Sequence, residues 1–122
     1  MEETTLQSSL AQRVFGAFEP DEVFVEYDAP LVFTVRGANG QTFLAYLAEG
    51  QPGRTVYLAV EVEPGLLAEV ARGRAPVRAA FTDLVWVVVI HPGGRIANAV
   101  CQSVAVVLPR YLPPEQLRAF AA

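Results

Sequence analysis

The run Leu84-Val85-Trp86-Val87-Val88-Val89-Ile90 is the longest apolar stretch in the chain, and it constrains the fold more than any other feature. It is far shorter than the about 20 residues a membrane-spanning helix needs. As a strand it places Trp86, Val88 and Ile90 on one face and Val85, Val87 and Val89 on the other. Both faces are apolar. Such a strand is central and must be covered on both sides, by helices or by another subunit. Pro92-Gly93-Gly94 reads as the turn that follows, with residues 95–108 returning as the partner strand. With Gly93 and Gly94 as loop residues, Trp86 lies opposite Cys101, Val88 opposite Ala99, Ile90 opposite Ala97 and His91 opposite Ile96. Small residues there leave room for the indole, so Cys101 is expected in the core beneath Trp86. His91 is expected as a polar residue flanking the turn.

The remaining chain supplies more strands and little helix. Leu6, Leu10, Val14 and Phe18 recur at helical spacing, which predicts an amphipathic helix over residues 4–18. The period then drops to two. Strands are expected over 23–27, 31–36, 41–49 and 54–62. Asn39-Gly40 suits a two-residue hairpin loop, which sets Val35 opposite Leu44 and Phe33 opposite Tyr46. Pro64 opens a short helix to about residue 72, with Leu66, Leu67 and Val70 inward and Gly73 as its left-handed terminator. Residues 76–82 read as one further helical turn burying Val77, Ala80 and Phe81. Leu112-Pro113-Pro114-Glu115 opens a last short helix carrying Leu117 and Phe120. The sum is a single α+β domain over residues 1–122. Its antiparallel sheet has about six strands, flanked by an N-terminal helix, a central helical insert and a short C-terminal helix.

Composition excludes several chemistries. At 122 residues there is room for one core only, and a 52% hydrophobic content excludes disorder. The basic residues are nine Arg with no Lys, so a Walker loop and any Lys nucleophile or base are absent. One Cys and one His make neither an internal disulfide nor a Cys- or His-rich metal site. No cofactor and no metal are expected. The acidic start Met-Glu-Glu-Thr-Thr has no signal-peptide pattern, so a soluble, cytoplasmic protein is expected, with no membrane association. A net charge of −4 argues against nucleic acid as a partner. Charge is nevertheless uneven. Residues 1–30 hold seven acids and one Arg, and residues 70–122 hold two acids and six Arg. Oppositely charged patches of this kind suit self-association or docking of a partner protein.

Candidate chemistry is thin. His91 and Cys101 are the one thiol–imidazole combination, but the hairpin register sets them about 17 Å apart on opposite faces. Glu61 and Glu63 flank Val62 and point the same way, as do Glu26 and Asp28. Either pair suits a metal or acid–base chemistry, but the expected role is the solvent side of an amphipathic strand. Arg72, Arg74 and Arg78 cluster around a helix end and are candidates for docking a phosphate or an acidic partner. Val85, Val87, Val89 and Val100, on the sheet face away from Trp86, are the candidate dimer face. Three short helices cannot cover all of it, and monomers rarely expose large apolar patches.

Glu26-Tyr27-Asp28-Ala29-Pro30-Leu31-Val32-Phe33, Asn39-Gly40, Phe43-Leu44-Ala45 and the segment 60–81 with its Leu66-Leu67, Gly73 and Val77-Arg78-Ala79-Ala80-Phe81 together resemble a family of small bacterial proteins of unknown function. Its pattern reads Tyr-Asp-x-Pro-Leu-x-Phe, then Gly, then Tyr-Leu-Ala. The resemblance spans about residues 22–85. Ala29 stands where the pattern has Gly, and Phe43 where it has Tyr. The resemblance implies a small stand-alone or accessory domain, of the kind found in mobile or defence-associated gene neighbourhoods, and carries over no functional residue. The expected function is a non-catalytic, homodimeric protein-interaction module. The alternative is an antitoxin, immunity or defence-accessory protein that binds a partner protein.

Overall fold

A computed structural model describes residues 13–93 and 95–119. Six strands form one antiparallel sheet in the order of the chain: β1 (Glu22–Tyr27), β2 (Ala29–Arg36), β3 (Thr42–Gln51), β4 (Arg54–Glu61), β5 (Leu84–Ile90) and β6 (Ile96–Ser103). The one long connection, between β4 and β5, holds helix α1 (Pro64–Ala71) and the 3₁₀ turn Val77–Ala80. Short loops between antiparallel neighbours explain the simple meander. Of the expected N-terminal helix, only its end at residues 13–15 lies within the described residues.

Each face of the sheet carries its own core. On one face Val32, Leu44, Leu58, Val60 and Val85 pack under Val70 of α1, Val77, Phe81, Val107 and Leu112. On the other, Phe33, Val35, Phe43, Ala45, Ala59 and Val88 pack under Phe15. The Phe15 ring lies 4.8 Å from Phe43 and 5.6 Å, edge-on, from Trp86. Aromatic edge-to-face contacts of this kind fix the N-terminal segment to the sheet. β5 is thus covered on both sides, as its composition demands.

The first hairpin differs from the expected register by one residue. Val35 pairs with Phe43 and Phe33 with Ala45, not with Leu44 and Tyr46. The loop holds three residues rather than two. Gly37 N–H donates to Gln41 O at 2.7 Å, and Gly40 N–H to Gly37 O at 3.1 Å. Only Gly40, at φ +87°, is left-handed, and Asn39 is not. A three-residue loop ending in one left-handed Gly replaces the turn that needs two positive φ values. A slip of one residue moves every side chain of a strand to the other face. Phe43 and Ala45 therefore join Phe33 and Val35, while Leu44 and Tyr46 join Val32 across the sheet.

The second hairpin keeps its expected register over most of its length: Trp86 pairs with Cys101, Val87 with Val100 and Val88 with Ala99. A bulge then shifts Ile90 onto Ile96 rather than Ala97, and His91 N–H donates to Arg95 O at 2.9 Å. The bulge turns Ile96 toward the Phe15 side. β6 also ends earlier than expected. At Ser103 the hydroxyl accepts from Ala105 N–H at 3.2 Å, and the chain turns away across the sheet.

No C-terminal helix forms within the described residues, and Phe120 lies outside them. Residues 113–119 instead run as a strap over the insert. Val77 N–H donates to Leu117 O at 2.9 Å. The Arg78 guanidinium reaches Pro113 O, and Arg118 donates to Gly73 O and Arg74 O at 3.0 and 2.8 Å. A segment this short cannot close many helical bonds of its own, so tertiary partners satisfy its backbone.

Candidate interaction edge

Among the described residues the meander leaves two unpaired sheet edges, and they differ in chemistry. β1 carries exposed Glu22 and Glu26, continues into exposed Asp28, and is broken by two register shifts. Asp28 takes φ +62°, which reverses the chain directly into β2. Charges and bulges are the usual means of keeping an edge from pairing. β6 has neither charge nor Pro in its eight residues, Ile96-Ala97-Asn98-Ala99-Val100-Cys101-Gln102-Ser103. Val100, Cys101 and Ser103 are exposed along it. The Oδ1 atom of Asn98 is buried with no hydrogen-bond partner.

The candidate dimer face divides. Val85 is fully buried beneath its own chain's insert and cannot meet a partner. The reason is that residues of the insert and of the C-terminal strap pack over this strand. Val87 and Val89 are half-buried, and Val100 is 37% exposed. The uncovered apolar surface is thus a corner at β6, not the whole face. Val106 and Leu108, just beyond β6, are exposed as well.

Cys101 is exposed, not buried under Trp86, and Trp86 itself is half-buried. The register placed Cys101 correctly, but β6 is the outermost strand, and among the described residues no strand pairs beyond it. Partial desolvation pushes the Cys101 thiol above its ordinary value, away from the thiolate a nucleophile needs. His91 sits at the far end of the hairpin, five rungs beyond the Trp86–Cys101 pair, or about 17 Å.

Glu61 and Glu63 are both exposed and line an open hollow of about 540 Å³ formed by residues 40–42 and 61–64. Among the described residues, no three His, Cys, Asp or Glu side chains gather where they could hold a metal ion. The arginines also divide. Arg78 is committed to Pro113 O. Arg74 makes a long 3.9 Å pair with Glu69, and Arg72 is exposed. Arg118 joins this group in space by holding the Gly73 and Arg74 carbonyls, a neighbour that sequence distance hid.

The contrast between the edges was legible in principle, since residues 96–103 show no charge. It gained meaning only once β6 was known to be the last strand. No described helix is long and apolar enough to cross a membrane. Comparison with protein-family models, curated proteins and solved structures finds no match for this chain.

Proposed function

We propose that this chain is a non-catalytic protein-interaction module that works as a homodimer. The reading is carried by one observation: an edge strand with neither charge nor Pro adjoins a corner of half-buried Val87 and Val89 and exposed Val100. Edges of this composition are templates for pairing, and a second copy covers such a corner with the same patch on both subunits. The acidic residues near β1 and the arginines of the C-terminal half keep further association in check or steer it, depending on which faces meet. Sedimentation equilibrium at micromolar concentration tests the reading. A species of twice the 13.2 kDa chain mass is expected, and a single 13.2 kDa species would overturn it.

A second reading, a protein that binds and restrains a partner protein as antitoxins and immunity proteins do, is favoured by Arg72 and Arg74, whose heads remain exposed. On that reading a double Arg72→Glu, Arg74→Glu variant loses an acidic partner recovered from the native host at low salt. Unchanged recovery counts against it.

A further inference from the structure

The open edge of β6 has a parity. Val104 N–H donates to Asp83 O at 2.7 Å, so these two residues form a hydrogen-bonded pair. Along an antiparallel ladder such pairs alternate with non-bonded ones. Stepping by two, the pairs Val85–Gln102, Val87–Val100 and Val89–Asn98 are the bonded ones. The residues between them, Ala99, Cys101 and Ser103, turn their N–H and C=O groups away from β5, toward the open edge.

Any strand added to β6 must bond those odd-numbered residues. If that strand is β6 of a second copy, running antiparallel, odd residues must meet odd residues. The twofold axis then passes through a residue and not between two. An axis at Ala99 sets Asn98 against the partner's Val100. An axis at Cys101 sets Val100 against the partner's Gln102. Each of these presses an amide against an apolar side chain. An axis at Val100 sets Val100 on its own copy, Ala99 against the partner's Cys101, and Asn98 against the partner's Gln102. That last pair occurs twice by symmetry. Each gives the Asn98 amide, whose Oδ1 lacks a partner, a donor after a turn about its last side-chain bond. The same pairing at β1 would bring carboxylates together, because Glu22 and Glu26 lie along that edge.

We propose that β6 pairs with β6 of a second copy about a twofold axis through Val100, so that two six-stranded sheets join into one. This inference rests on the homodimer reading and names its interface. Val100 meets its copy in a non-bonded pair, with Cα atoms about 4.5 Å apart, within reach of a disulfide. Gln102 and its copy lie four rungs apart, about 14 Å, and out of reach.

The test places single cysteines in a Cys101→Ser background. Under mild oxidation Val100→Cys should give a covalent dimer, and Gln102→Cys should remain a monomer on a non-reducing gel. In the otherwise unchanged chain, Val100→Lys should dissociate the dimer in sedimentation while its circular dichroism stays native. Cross-linking through position 102 and not 100 would overturn the register. A wild-type dimer that neither links through Val100→Cys nor dissociates with Val100→Lys would overturn the pairing and leave the homodimer reading standing. A wild-type monomer would overturn both.

Discussion

Gly73→Ala should be among the most damaging single-methyl additions in this protein, because two costs fall on one atom. Gly73 ends α1 at φ +74°, and a Cβ built there would stand 2.7 Å from the Ala119 carbonyl oxygen. The left-handed conformation alone costs an L-residue about 1–2 kcal/mol. The second cost is steric, and neither side gives way easily, since both are backbone. Relief requires the strap to move. That loosens Arg118 from Gly73 O and Arg74 O, and Val77 N–H from Leu117 O. A net hydrogen bond is worth about 1 kcal/mol, and the Arg118 bonds less because they are exposed. The expected total is about 2–4 kcal/mol. Gly40→Ala is the control: its φ is +87°, but an added Cβ meets nothing within 4 Å. It should show the conformational cost alone, about 1–2 kcal/mol. Urea denaturation of both variants, with shared m-values, gives the difference. If Gly73→Ala costs no more than Gly40→Ala, the strap does not bear on α1 as described.

Val85 and Val100 should part company when truncated. Val85→Ala removes two carbons from a fully buried site, for about 2–3 kcal/mol with its cavity, and leaves association unchanged. Val100→Ala, at an exposed position, should cost the monomer under about 0.5 kcal/mol, and equal losses in denaturation would refute the division of that face. Burial raises Tyr46 and Tyr57 above 10.0, and desolvation raises Cys101 above 9.0. The unfolded chain therefore releases these protons first as pH rises. Their contribution to stability is whole below pH 9 and falls as pH climbs through the ordinary values toward the raised ones. A denaturation midpoint that rises between pH 9 and 11 would contradict that sign.

Much of the architecture was local and hence readable. β5 is apolar on both faces, and period-two segments with turn residues between them leave few arrangements other than an antiparallel sheet. Pro64 and Gly73 bracket α1 because each suits one end of a helix whatever surrounds it. The Trp86–Cys101 and Val88–Ala99 pairings follow from counting back from a Gly-rich loop.

Tertiary structure decided what counting along the chain could not. Asn39-Gly40 is compatible with two loop lengths, and the choice rests on which strand faces find partners. The three-residue loop puts Phe43 beside Phe15 and Phe33, and Leu44 beneath α1 and the strap. The C-terminal residues hold helix-forming types, yet contacts to the insert satisfy their backbone better than a helix of that length would. Val85 and Val100 sit on the same face with the same side chain, and one is buried while the other is exposed. Burial depends on what crosses above a strand and on what lies beside it, and neither is a property of the strand's own residues. For the same reason the uncharged composition of residues 96–103 was visible from the outset. Its place along an unpaired sheet edge came only with the position of β6 at the end of the sheet.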